Sequence, residues 1–170
     1  MLIPFIGYAL GQRFIGYVEC QGEQLTDLLN RSESVVIRES YVESFEEDTV
    51  VNLGDREIDR AILYAVEAGA RGDATRRIHT IRQRLQVQIG PYSALGLLDS
   101  LPGQSLLPAL HARGPMISLC DATIGYLSRG AIAMRDVGTL IVNRDLLDWV
   151  RANDDDAMAF PGVPVVTGRD

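Results

Sequence analysis

Two histidines and two cysteines are the chain's whole supply of imidazole and thiol. Neither His79 nor His111 has a second ligand at the His-x-x-x-His or Cys-x-x-Cys spacing that a closed metal site needs. Cys20 and Cys120 fall in apolar, strand-like runs, where a free cysteine behaves as a small hydrophobe. A nucleophilic role would need an adjacent base and a lowered pKa. Ser118 and Ser128 lack the flanking glycines of a nucleophile elbow. Gly7, Gly11 and Gly16 are interleaved with aromatic residues and no Gly-Lys-Ser/Thr follows, so they read as turns or strand kinks rather than a phosphate loop. The acidic run 43–48 lacks the spacing and mid-loop glycine of a calcium loop and reads as a hairpin tip. These residues predict no enzyme, no metal and no cofactor.

What remains is guanidinium chemistry. Arg82 and Arg84 stand two apart on a predicted strand and so share a face, next to Arg76 and Arg77. Arg60 and Arg144 occupy matching places in two similar segments. Planar guanidinium groups suit an anion or a partner's carboxylates, and Arg60, Arg82, Arg84 and Arg144 are the candidate ligand or partner contacts. The plainer reading of Arg82 and Arg84 is a solvent-facing stripe that discourages edge pairing.

The elements that must carry these residues are mostly strands. Arg13 to Cys20 and Arg82 to Ile89 alternate imperfectly between apolar and polar, as half-buried strands do. Val35 to Val42 and Met116 to Ile124 are short β-branched runs. Leu25 to Asn30 and Ala94 to Ser100 have adjacent leucines closer to helical spacing and predict one-turn helices. A loop at 101–114 is bounded by proline and glycine, with a short helix expected around Leu106 to Ala112. Ile58, Ile62 and Val66 would share one helical face, whereas Thr139 to Val142, Asn143 to Asp145 and Leu146 to Val150 read as strand, turn and strand. Both readings of 57–68 and 142–152 stay open.

An internal repeat organises these pieces. Ile58 to Ala68 aligns without gaps on Val142 to Ala152, Val35 to Val42 on Ile117 to Ile124, and Asp27 to Asn30 on Gly96 to Asp99. The order of the blocks is preserved. Two units follow, 1–70 and 76–153, the second with a loop insertion at 101–114. Residues 69–75 form a small, polar linker and 154–170 a C-terminal tail.

The segment Leu25 to Asn30 before Val35 to Ile37, with the later run Val142 to Val150, resembles an uncharacterised bacterial domain family of the Sm-like or SH3-like small-barrel type. The resemblance covers both units and leaves the tail outside. It implies a mainly β protein of two tandem small β-barrels with short helical turns, and it carries no assigned activity. Sm proteins line an RNA-binding ring with an Asp and Asn in one loop and an Arg-Gly in a later one. Asp27 and Asn30 match the first element only loosely. The second is missing, because Ala61 follows Arg60 and Asp145 follows Arg144.

Composition narrows the partners further. The chain has 170 residues, 46% hydrophobic and 23% charged, with a net charge of −7. That is enough apolar material for a sizeable core. The acidic balance opposes binding to a phosphate backbone, so nucleic acid is not expected. No apolar run approaches the roughly twenty residues that span a bilayer. Two cysteines make no disulfide framework, and a reducing cytoplasm is expected. Both ends carry apolar extended stretches, Met1 to Ile6 and Ala159 to Val166, suited to adding onto a strand edge. Ile3, Phe5, Phe160, Val163 and Val165 are the candidate assembly contacts. The expected function is a non-enzymatic interaction or assembly module that self-associates or scaffolds a protein partner. The alternative is an anion- or nucleotide-binding module with its ligand near the arginines between the units.

Overall fold

The computed structural model describes residues 1–69 and 81–153. The predicted linker, with Arg76, Arg77 and His79, falls outside the described residues for all but Gly69, as do the tail and its Phe160, Val163 and Val165. The chain is mainly β. The first half runs β1 (Leu2–Ala9), β2 (Gln12–Glu19), α1 (Leu25–Arg31), β3 (Ser34–Ser44), β4 (Val50–Asp59), a 3-10 turn (Arg60–Ile62) and β5 (Ala65–Ala68). The second runs β6 (Ile81–Ile89), β7 (Tyr92–Ser100), α2 (Leu106–His111), β8 (Met116–Ser128), β9 (Ala131–Asn143), a 3-10 turn (Arg144–Leu146) and β10 (Leu147–Ala152). The same order of elements thus occurs twice. At 57–68 and 142–152 the backbone is strand, one 3-10 turn and strand, because Asp59 and Asn143 each accept the N–H two residues on and start a tight turn that cannot lengthen.

All ten strands join one antiparallel sheet in the order β10-β6-β7-β8-β9-β5-β1-β2-β3-β4. This corrects the expectation of two closed barrels. The reason lies in β5, which pairs with β1 on one side and with β9 on the other, so its outer edge joins the halves instead of closing the first. Two further expectations fail at one place. Ala94 to Ser100 is strand β7, not a helical turn: it is buried on both faces, and a strand with two apolar faces loses the alternation that would betray it. Gly96 to Asp99 is therefore not the counterpart of Asp27 to Asn30. The counterpart is α2, and the stretch 101–114 fills the place that α1 fills in the first half rather than being an insertion.

Each half bends its long strands at the same place. Gly16 and Gly96 sit where the register shifts between the second and third strands. A Cβ on Gly16 would lie 2.6 Å from Ile37 Cγ2, and one on Gly96 would lie 2.9 Å from Leu119 Cβ. Opposite them Glu39 and Asp121 take φ of 49° and 45°. A bulge with a side chain removed from the inside of the curve lets the sheet wrap its core.

The core has two clusters, and they trade residues across the β5–β9 pairing. Tyr8, Phe45 and Ala65 of the first half lie in the cluster built by β6 to β9. Met116 and Ile141 of the second half lie in the cluster of Phe5, Phe14, Leu29, Ile37 and Leu63.

Candidate functional site

The four candidate arginines are not brought together. Arg60 Nη1 donates to the carbonyl oxygens of Leu29, Asn30 and Ser32 at 2.9, 3.4 and 3.3 Å, at the end of α1. Arg144 Nη1 does the same for α2, donating to Leu110, His111 and Arg113 at 3.2, 3.5 and 2.8 Å. A helix end leaves carbonyls without intrahelical partners, and a guanidinium supplies donors to them together with a favourable charge. Each arginine therefore clamps a helix within its own half. Arg82 pairs with Asp99 at 3.2 Å and lies 3.9 Å from Asp121. Arg84 is exposed beside the end of β10, its carbonyl accepting the Asn153 N–H.

Asp27 is exposed, and Asn30 is structural. Its carboxamide donates to the Met116 carbonyl and accepts the Met116 N–H, both at 2.9 Å, tying α1 to β8. Cys20 and Cys120 are both buried and free. Burial, with the Glu23 carboxylate adding to it, pushes the Cys20 thiol up from its ordinary value, away from thiolate chemistry. Ile3 is half-buried against the core cluster that contains Phe14 and Leu29, and Phe5 is fully buried in it. His111 ends α2 and is exposed. Among the described residues no three His, Cys, Asp or Glu side chains form a metal-ligand group, and no helix is long and apolar enough to cross a membrane.

The polar chemistry that does converge lies on the β5–β9 pairing. Glu67 of β5 receives Arg135 Nε at 2.9 Å and Nη2 at 3.1 Å, and the Tyr8 hydroxyl at 2.5 Å. A forked guanidinium and a phenol thus satisfy one largely buried carboxylate where the halves meet. Burial first, then Glu67, raises the Tyr8 phenol well above the usual 10.0. Burial chiefly does the same for Tyr92, whose hydroxyl donates to the Ala9 carbonyl. Both raised values favour the neutral form in the folded chain. Their stabilisation is complete below the ordinary tyrosine value and is lost as pH rises beyond it, when the unfolded chain releases protons that the fold retains. In a spectrophotometric titration, Tyr8 and Tyr92 should ionise only together with loss of the folded near-ultraviolet signal. Six independent, reversible ionisations of a chain still folded would refute the burial of these phenols.

The sheet ends in two strands that have no partner on one side among the described residues, β4 and β10. Every β4 residue except Leu53 and Ile58 is exposed, including Val50 and Val51. Its stretch 55–59 carries Asp55, Glu57 and Asp59 against Arg56. The Glu39 N–H at 3.0 Å and Arg38 at 2.8 Å hold the Asp55 carboxyl below the usual carboxylate range. β10 carries Asp148 and Arg151 and has Arg84 beside its end. Trp149 is exposed at 37%, with the Arg151 guanidinium 5.1 Å from its ring centre. The β4 edge is thus net negative, whereas β10 carries one charge of each sign.

A cleft of about 270 Å³ opens beside α1, where the hydroxyls of Thr26 and Ser118 meet at 2.6 Å. Thr139 lines it with a buried hydroxyl that has no partner among the described residues. Sequence reading missed this cleft because its residues come from β1, α1, β5, β8 and β9 and share no motif. It missed β4 as an edge for the same kind of reason, since strand order is set by long-range pairing that local patterning does not encode. In comparisons with known proteins, the chain matches no family model, no curated protein and no solved structure.

Proposed function

We propose that this protein is a non-enzymatic assembly module that joins protein chains through its strand edges. The observation that carries this reading is the pair of exposed terminal strands, β4 and β10, on one continuous sheet, each presenting backbone donors and acceptors with no partner among the described residues. An open edge is a template for another strand, and main-chain hydrogen bonds supply affinity while flanking side chains supply selectivity. The dispersed arginines, of which Arg60, Arg82 and Arg144 are engaged within their own halves, give less support to a shared anion site.

The test is native mass spectrometry with sedimentation velocity on the full chain, from micromolar to submillimolar concentration. Complexes at whole multiples of the 18.7 kDa chain, or a co-purifying protein lost on substituting β4 or β10 residues, are expected. A chain that stays monomeric and captures no protein would overturn the reading.

A further inference from the structure

We infer that the partner of the β4 edge is the β10 edge of a second copy of this chain, paired head to tail in the register of the internal β5–β9 pairing. The inference rests on the assembly reading above and gives it a partner, a polarity and a register.

The chain already contains one instance of the contact. In the repeated order of elements, β5 is the last strand of the first half and β9 the fourth strand of the second. Their antiparallel register sets Ala65 opposite Val142, Val66 opposite Ile141, Glu67 opposite Leu140 and Ala68 opposite Thr139. The last strand of the second half is β10, and the fourth of the first half is β4. These are the two strands left at the ends of the sheet. What joins the halves within one chain is therefore available, once, between chains.

The register transfers through the matching 3-10 turns. Arg60 and Arg144 each open one of these turns and each clamp the preceding helix, so the two halves align there. On that alignment Trp149 faces Ile58 of the next copy, Val150 faces Glu57, Arg151 faces Arg56 and Ala152 faces Asp55. The Trp149 ring then lies against Ile58, which belongs to the core cluster of Phe5, Phe14 and Leu29. β4 carries three carboxylates against one guanidinium and β10 one charge of each sign, so β4 on β4 would set two net-negative edges together, whereas β10 offers it a neutral edge. One pair is adverse, Arg151 on Arg56, and it makes the register testable. A contact between two different edges is heterologous, so it builds closed rings or open chains of copies rather than a simple two-fold dimer.

The experiment mixes two variants of the full chain, each with one added cysteine, Asp55→Cys and Ala152→Cys, under mild oxidation, leaving the buried Cys20 and Cys120 in place. Residues directly opposite in an antiparallel pair have Cα atoms about 4.5–5.5 Å apart, within disulfide reach. A disulfide joining the two different variants is expected in the mixture and not in either variant alone. Disulfides formed within one variant's own population would overturn the head-to-tail pairing and leave the assembly reading intact. Oligomers with neither disulfide would also overturn the pairing. A wild-type chain that is monomeric at every concentration would overturn both. Arg56→Glu, at an exposed site, replaces a like pair with an opposite pair and should tighten self-association about fivefold. Unchanged or weaker association of this variant would overturn the register.

Discussion

Replacing Phe45 by alanine is expected to destabilise the fold by about 3–5 kcal/mol, the range for truncating a buried aromatic side chain. The residue belongs to a tip rich in acids, yet it is only 6% exposed. Its ring stacks on Tyr126 at 4.4 Å between centroids and meets Tyr92 edge-on at 6.3 Å and Tyr8 at 6.4 Å. Its backbone holds it there: the Phe45 N–H donates to the Gly11 carbonyl at 3.0 Å, and its carbonyl accepts the Arg129 N–H at 2.9 Å. Offset and edge-on ring contacts add to the area buried. Phe45→Leu keeps most of the volume and should cost about 1.5 kcal/mol or less. Denaturant unfolding of the two variants checks this. An alanine variant within 1 kcal/mol of wild type would show that the ring does not belong to the core.

The second large effect is expected at Arg60. Arg60→Ala leaves three helix-end carbonyls without their charged donor and should lower stability by about 2–3 kcal/mol. For a chain of this size that is a fall of roughly 5–10 °C in Tm. Arg60→Lys should recover only part of it, because an ammonium is a point charge and not a planar fork. Calorimetry of the two variants measures both values. Full stability in Arg60→Ala would free the residue for the ligand role that its sequence position suggested.

Arg60 and Arg144 show how far sequence reading reaches. Their equivalence was legible, because the flanking segments align residue by residue and both fold to strand, 3-10 turn and strand. Their purpose was not, since the carbonyls they bind carry no side-chain signature. Strands with one wet face, such as β2, were legible from alternation. β7 was not, because burial on both faces removes the polar residues that mark a strand's period. Phe45 was hidden for the opposite reason: its neighbours Glu46, Glu47 and Asp48 are all exposed, and a single inward ring in a polar turn has no period at all. The edges were anticipated as a property of small β units, whereas which strands form them depends on β5 choosing β9.

That choice also bears on how the chain reaches its fold. Hairpins such as β1–β2 and β6–β7 close over two-residue connections and form by local diffusion. The pairing of Val66 with Ile141 must close a far longer loop and needs β9 to be in place first. Until it does, Tyr8, Ala65 and Phe45 face water on one side of the gap, and Met116 and Ile141 do so on the other. A ribosome releases the first half well before β9 exists, so the nascent chain must carry an apolar face with its partner strand still unmade.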